Sequence, residues 1–397
     1  MTGSRPTVLV ASRLFVPEVS AGAFRLGALA QGLSRGGAAV TVVTTVPPPH
    51  APAASDPEGV RVRRAPVLRD AGGNVRGYLQ YASFDGPLLF RILMSRWDAA
   101  VAEAPPTTAL VVRFAAWLRR RPYVYYAADV WTDGVIAMGA ARPVVALMRR
   151  MERAALRGAA IVLSVSAEVT ERLEALGADP GRIATIGNGI DTGVFRPDRE
   201  PAVAAERYFV YTGTMSEWQQ PDVFVRAFAM IADDYPDVRL RFFGQGAVEA
   251  DLRALADELV PGRVVFGGVV GPDASAAWIR GAIGALVSIA PGIGYDFARP
   301  TKTYAAAACG TPVLFAGADV GGALVREAGL GEAVAFTPEA VAAAMRRQIE
   351  AADRGDSERL RGQRAQWARE TVSLAAAGRR GADAVLAVLP GARRSGG

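Results

Sequence analysis

The sequence predicts an α/β protein with two doubly wound parallel sheets, one in each half of the chain. Short apolar and β-branched runs alternate with helix-forming stretches from Thr7 to beyond Phe315. The alternation breaks once, at Phe195-Arg196-Pro197-Asp198 and the polar, proline-bearing stretch up to Arg207, and then resumes. A chain of 397 residues, 51% of them hydrophobic, also exceeds what one core usually supports. Strands that read as continuous apolar runs are covered on both faces, which is the signature of a parallel sheet between helix layers.

In order, Thr7 to Ala11 is a short apolar strand, and Phe24 to Ser34 is helical with Gly36-Gly37 as its stop. Ala39 to Thr44 is a second buried strand, and Pro47 to Pro57 is a proline-rich loop. Asp98 to Ala102, Tyr123 to Ala127 and Ile161 to Val165 are further strands with helices between them. After the break come Tyr208 to Tyr211, Arg239 to Phe243, Val264 to Phe266, Ala285 to Ile289 and Pro312 to Phe315, each followed by helical sequence. The second half repeats the architecture of the first without repeating its sequence. Ligands of such sheets bind beyond the carboxyl ends of the strands.

Composition removes several chemistries. His50 is the only histidine and closes Pro47-Pro48-Pro49-His50 in a loop, so histidine-based triads and metal sites are poorly served. Cys309 is the only cysteine and can form neither an internal disulfide nor a cysteine cluster. No apolar run reaches the roughly 18 residues that a membrane span needs. The segment from Val8 to Ala11 is too short for a secretory signal, and the cytoplasm, with access to a membrane surface, is the expected compartment. A net charge of +6 favours anionic partners. The clusters Arg119-Arg120-Arg121, Arg149-Arg150 with Arg153 and Arg157, and Arg393-Arg394 lack interleaved aromatics, so nucleic acid is not expected. Solvated helix faces are the plainer reading of each.

Against 44 arginines the chain keeps a single lysine, Lys302, in Arg299-Pro300-Thr301-Lys302-Thr303-Tyr304. A compact ammonium and a planar guanidinium are not interchangeable at a crowded phosphate. Pro300 suits a helix start and Ala305 to Ala308 continue it, which puts Lys302 where free N–H groups and the dipole favour an anion. A surface lysine of no special role is the alternative. Other loops close strands. Pro17 to Ala23, with Gly22, leads into a helix carrying Arg25, and a small-residue entry lets backbone amides approach a phosphate. Asp129 follows Tyr123 to Ala127 and stands beside Trp131; it either contacts substrate hydroxyls or caps the next helix. Gly213-Thr214, Gly244-Gln245-Gly246 and Gly267-Gly268-Val269 are glycine turns after three strands of the second half. They carry neither a dinucleotide fingerprint nor a Walker A loop, so no nicotinamide cofactor is expected.

These segments together resemble a family 4 glycosyltransferase of GT-B fold, in the bacterial branch of polysaccharide-assembly and secondary-metabolite enzymes. The likeness is carried by Ile186-Gly187-Asn188-Gly189-Ile190-Asp191 to Phe195, Tyr211-Thr212-Gly213-Thr214-Met215, Phe243-Gly244-Gln245-Gly246, and Pro300-Thr301-Lys302-Thr303-Tyr304 running to Cys309-Gly310-Thr311-Pro312-Val313. The loop Pro17 to Arg25, the turn Glu103-Ala104-Pro105-Pro106 and Asp129-Val130-Trp131 agree with it. The resemblance implies two Rossmann-like domains facing across a cleft, an acceptor-side domain over 1–195 and a donor-binding domain over 196–370. It also implies that 371–397 is a C-terminal helix crossing back to the first domain. Retaining transfer from a nucleotide-sugar donor, UDP-linked in expectation, would need no metal and no protein nucleophile. Lys302 and Asp129 are the expected catalytic residues; Gly22, Arg25, Gly213, Thr214, Gly244, Val269, Asp296, Arg299, Thr301 and Tyr304 join Lys302 in the expected donor site. The acceptor is a small molecule or a lipid-linked saccharide, and Tyr78 to Trp97 would shape its pocket or lie on a membrane.

Departures from the family pattern matter as much. Its two glutamates align with Phe297 and Ala305, with Asp296 a stand-in for one only. Its Arg-and-Lys diphosphate clamp falls near Thr214 and Trp218, and its first-domain histidine is absent. A catalytically silent homologue, or a nucleotide-sugar or sugar-phosphate enzyme such as an epimerase, therefore stands as the alternative.

Overall fold

A computed structural model describes residues 5–18, 20–49, 51, 55–70, 73, 75, 77–137, 139–203, 206–293, 296 and 299–389. His50, Phe297 and the Arg393-Arg394 pair lie outside the described residues. The chain divides into two compact units: one runs to Asn188 and resumes at Leu374, and the other comprises Gly189–Ser373. The division thus falls a few residues ahead of the polar break in the sequence.

In the first unit the described residues form a seven-stranded parallel sheet of order β3-β2-β1-β4-β5-β6-β7. Its strands are β1 (Thr7–Ala11), β2 (Ala39–Thr45), β3 (Val60–Ala65), β4 (Ala99–Glu103), β5 (Tyr123–Ala127), β6 (Ile161–Ser164) and β7 (Ile183–Thr185). The helices are α1 (Ala21–Arg35), α2 (Tyr78–Leu93), α3 (Pro106–Arg119), α4 (Trp131–Ala137), α5 (Arg142–Gly158) and α6 (Ala167–Ala175). The central strands β4 and β5 are buried throughout, as continuous apolar runs require. The edge strand β3 escapes the apolar-run criterion because it alternates valine with exposed arginine, one side facing the core and one the solvent. The short β7 carries too few residues for any pattern. Strand β1 pairs with β2 on one side and β4 on the other, so Val10 faces Val42 and Val101. The strand order therefore reverses at β1/β4, and the loops leaving those two strands part in opposite directions.

One helix layer (α2, α3, α5, α6) covers one side of this sheet through Phe84, Leu88, Ile92, Val112, Leu156 and Leu173. The other side is covered by α1 and by the last helix of the chain, through Leu26, Leu29, Leu33, Ala382 and Val385. Helix α1 starts on Ser20, whose side chain accepts from Ala23 N, and packs against that last helix at glycine contacts. A Cβ on Gly32 would lie 2.6 Å from Gly378 O, so only glycine allows the two backbones this close.

The second unit holds a six-stranded parallel sheet of order β10-β9-β8-β11-β12-β13 among the described residues. Its elements are β8 (Arg207–Thr212), α7 (Asp222–Ala229), β9 (Val238–Phe243), α8 (Glu249–Leu259), β10 (Val264–Phe266), α9 (Pro272–Arg280), β11 (Gly284–Ser288), α10 (Thr301–Ala308), β12 (Val313–Ala316), α11 (Asp319–Glu327), β13 (Gly331–Val334), α12 (Pro338–Asp353), α13 (Asp356–Arg359) and α14 (Arg361–Thr371). The final helix, α15 (Leu374–Ala387), belongs to the first unit, where Arg380 Nε donates to Ile186 O at 2.8 Å. The reversal of strand order here falls between β8 and β11.

Helix α10 leaves β11 at that reversal and is pinned at its far end. Arg361 Nη1 donates to Cys309 O and the buried Arg364 donates from Nε to Gly310 O, at 3.1 and 2.8 Å. Two guanidinium groups on the last carbonyls complement the helix dipole and fix the axis along which its N-terminus points. Burial pushes Arg364 down to about 10, and the neighbouring Arg361 charge adds to that. The residues from Thr303 to Ala308 are buried, so α10 exposes little but its first turn.

Candidate active site

In the second unit three strand-end loops stack on one another. Gly213 N donates to Phe243 O, Gly244 N to Gly268 O and Met215 N to Gln245 O, at 2.8, 2.7 and 3.1 Å. The stacking demands glycine at Gly244: its φ is 128°, and a Cβ there would sit 2.0 Å from Gly213 O. The turns after β8, β9 and β10 thus form one bared-backbone ledge beside the β8/β11 reversal.

Lys302, second residue of α10, reaches onto this ledge. Its Nζ lies 3.5 Å from the centre of the Tyr211 ring, 3.2 Å from Gln219 Oε1 and 3.4 Å from Thr214 O. A Cβ on Gly213 would touch Lys302 Cε at 3.4 Å. The ammonium therefore turns toward the head of β8 rather than out into bulk water, and burial pushes its pKa well below the usual lysine range. Tyr211 Oη lies 2.7 Å from both Gln219 Oε1 and Thr214 O and its one proton serves one of them at a time, so phenol and ammonium address the same two oxygens. A cation held by long hydrogen bonds and a ring face is poised to exchange them for a stronger anionic partner.

The remaining residues expected in the donor site divide. Gly213, Thr214, Gly244 and Lys302 come together on the ledge, and Thr301 opens α10 just ahead of the lysine. Val269 is 63% exposed at the head of β10. Asp296 folds back on its own loop and accepts from Gly292 N at 2.9 Å, while Arg299 is exposed just ahead of α10. Tyr304 is buried in the cluster containing Val287, Phe243 and Phe315, and Ala305 lies in the same cluster. A side chain packed there supports α10 rather than lining its mouth. Trp218 is part-buried against that cluster, and Gln219 rather than Trp218 meets the lysine. Gln219 and Tyr211 are not among the expected site residues because neither is charged; Tyr211 stands near the end of β8, just ahead of Gly213, and Gln219 in the turn before α7.

The first unit carries a second polar centre at its own reversal, β1/β4. Glu103 closes the fully buried strand β4, and its Oε1 lies 2.9 Å from where a Cβ on Gly22 would stand. Arg25, half-buried one turn into α1, and the buried Arg13 lower the Glu103 pKa through their charges, while Asp129 raises it. Burial, the largest influence, raises it above the usual carboxylate range. Ser12 Oγ lies 2.5 Å from Glu103 Oε2 and 2.7 Å from Leu14 O, and accepts from Leu14 N at 3.0 Å. Its contact with Glu103 favours the charged carboxylate and works against burial. Glu103 Oε1 makes no hydrogen bond among the described residues.

Asp129 is exposed at the end of β5 and does not cap α4. The buried Glu152 of α5 performs that task, accepting from Trp131 N at 2.8 Å, Thr132 N at 2.9 Å and Thr132 Oγ1 at 2.6 Å. The helix-cap reading of Asp129 is corrected accordingly, and its carboxylate remains available beside Glu103. Tyr81 meets Trp131 edge-on, with ring centroids 6.2 Å apart, and the Arg13 guanidinium stacks on Tyr81 at 3.9 Å. Gly22, Arg25, Glu103, Asp129 and this aromatic pair make a compact set suited to hydroxyl-rich molecules.

Comparisons with known proteins follow the same two halves. Residues 21–189 match the family described as "Glycosyl transferase 4-like domain", and residues 206–351 match "Glycosyl transferases group 1". A D-inositol 3-phosphate glycosyltransferase of Acidothermus cellulolyticus is 30% identical over an alignment of 174 residues that covers 39% of this chain and 38% of that protein. The chain therefore matches well under half the length of this curated relative. HepE of Anabaena, solved with UDP and glucose, superposes with a TM-score of 0.67 at 16% identity over 96% of this chain and 100% of that one. WaaG, a glycosyltransferase involved in lipopolysaccharide biosynthesis, superposes at 0.69 with 16% identity over 98% and 100% of the two chains. At such identities the superpositions establish the fold, while the two family matches span most of the sequence in the order of the two sheets. The protein belongs to the family 4 glycosyltransferases of GT-B fold.

Proposed function

We propose that the protein moves a sugar from a UDP-linked donor to a hydroxyl of a small-molecule or lipid-linked acceptor, with retention of configuration and without a metal. The observation that carries this reading is the Lys302 ammonium on the first turn of α10, beside the Gly213-Thr214 turn at the β8/β11 reversal. A diphosphate placed there meets backbone N–H groups, a helix dipole and one mobile cation. Negative charge grows on the leaving phosphate as the glycosidic bond breaks, so donors already in place lower the barrier. The acceptor hydroxyl forms the new bond to the anomeric carbon and its proton passes to a diphosphate oxygen, so no protein base is required. Asp129 and Arg25 belong to the first unit's own polar centre, whose chemistry is suited to hydroxyl groups. The relative from Acidothermus is named for D-inositol 3-phosphate and HepE was solved with UDP and glucose, which supports a UDP-linked donor and a cyclic polyol or sugar acceptor.

Titration calorimetry with UDP-, GDP- and dTDP-glucose tests the donor. UDP-glucose is expected to bind most tightly, and Lys302→Ala to lower turnover about 10²–10³-fold at saturating donor. Unchanged turnover in that variant removes the lysine from the reaction. Ala305 favours a second reading, since a methyl in the core offers nothing to a ribose or a sugar. A silent homologue binds none of these nucleotide sugars, and an enzyme acting on the donor alone consumes it without an acceptor.

A further inference from the structure

In the second unit the one ammonium of the chain rests on groups that carry no charge. Gln219 Oε1 and Thr214 O accept from Lys302 Nζ at 3.2 and 3.4 Å, and the Tyr211 ring faces it at 3.5 Å. No carboxylate pairs with it among the described residues. The groups around it are fixed. The Tyr211 ring packs against Phe242 and Phe224, with centroids 5.4 and 6.3 Å apart. Gln219 N donates to Ser216 O at 3.0 Å, and the neighbouring Trp218 O accepts from Ala290 N, just beyond β11, at 2.9 Å. The flexible member is the lysine itself, whose four-carbon stem lets the ammonium travel while α10 stays still.

Donors and acceptors balance here only while the lysine stays. Gln219 Oε1 and Thr214 O share the single Tyr211 proton, so one of the two is always left to the ammonium. When Lys302 turns to a phosphate, that oxygen loses its protein donor and the ring loses its cation. Departure from these groups therefore opposes binding of a diphosphate, and return to them favours its release. The strength of the hold suits such an exchange. Long bonds to neutral oxygens yield to a phosphate, whereas a carboxylate in place of the Gln219 amide would compete with the phosphate on equal terms.

We infer that Tyr211 and Gln219 are positioning residues: they form a resting seat from which Lys302 crosses to the donor diphosphate and to which it returns as the nucleotide leaves. The inference rests on the donor site proposed above. Because the chain has one lysine, protein labelled with ε-carbon-13 lysine gives a single side-chain signal. In the free wild type the Tyr211 ring face should shift that signal upfield, and saturating UDP should return it toward the position of a lysine in the unfolded chain. Gln219→Met should bind UDP about two- to tenfold more tightly by calorimetry, because the free protein loses a contact that the complex has already given up. Tyr211→Phe should bind it more weakly by a similar factor, since both oxygens then depend on the lysine and lose it together. Beside Lys302→Met both changes should vanish, which a merely structural role for either residue would not produce. A wild type that binds no UDP refutes the donor reading and the inference with it. UDP binding that leaves the lysine signal in place refutes the seat alone. So does weaker UDP binding by Gln219→Met, or either change persisting beside Lys302→Met. The labelled wild type by itself carries the test should either substitution unfold the protein.

Discussion

Lys302→Met separates a lysine kept for an anionic ligand from one kept for the fold. The hydrogen bonds of Nζ, at 3.2 and 3.4 Å, are at or beyond the usual range. Well-made charged bonds contribute about 1.5–3 kcal/mol each, so these contribute less. The Tyr211 face adds about 0.5–2 kcal/mol. Against them stands the withdrawal of an ammonium from water, an effective penalty of several kcal/mol. The balance lies near zero or against the lysine, in keeping with the downward push on its pKa. Methionine keeps the length, places a polarisable sulfur near the Tyr211 ring and removes the charge. Its thermal midpoint should therefore equal that of the wild type or exceed it by about 2–4 °C, the shift that 1 kcal/mol gives a unit of this size.

UDP affinity should move the opposite way. Losing one charge-assisted phosphate contact of about 1.5–3 kcal/mol weakens binding about 10–150-fold by calorimetry. Lys302→Arg should recover only part, because a planar fork does not fill a space shaped for a point charge. The pH dependence has a definite sign. A folded-state pKa below the unfolded one means that the unfolded chain holds the proton more tightly. Wild-type stability should then rise with pH between the depressed value and the ordinary 10.5, and the methionine variant should lack that slope. A variant that loses several degrees of stability while keeping full UDP affinity would refute the reasoning.

Gly244→Ala places a Cβ 2.0 Å from Gly213 O at a φ of 128°, and backbone strain plus overlap should cost about 2–6 kcal/mol. Gly213→Ala has a similar φ of 116° but meets nothing closer than Lys302 Cε at 3.4 Å, so its urea midpoint should fall by roughly half as much; equal losses would deny the stacked ledge. Burial raises the Glu103 pKa in the fold, so stability should fall as pH rises from the ordinary 4.5 through the raised value, because the unfolded chain releases the proton first. Glu103→Gln keeps the neutral shape and should flatten that part of a urea-midpoint profile; an unaltered slope would mean that the carboxyl is ionised.

The apolar runs of β1, β2, β4 to β6, β8, β11 and β12 are legible in the sequence because a strand buried on both faces must be apolar throughout, and β9, which alternates with arginine, and the short β10 are legible from their β-branched and aromatic residues. Strands β3, β7 and β13 are not: edge strands meet solvent or are too short for periodicity to act. Lys302 is visible as the one ammonium among arginines, and its place at the start of α10 follows from Pro300 and the alanines after it.

The partners of that lysine are another matter. Gln219 is remote in sequence, and only the parallel order β8-β11 carries α10 back over the β8 turn. Glu103 is likewise one carboxylate among many until pairing of β1 with β4 buries it against Ser12 and Gly22. Asp129 and Glu152 show the same limit. Local sequence gives Asp129 a claim on the α4 cap, and the packing of α5 awards it to Glu152. Short-range propensity, apolar period and residue chemistry are properties of neighbouring residues and can be read along the chain. Burial, proton occupancy and which polar groups share a space depend on strand order, which joins residues that the sequence keeps apart.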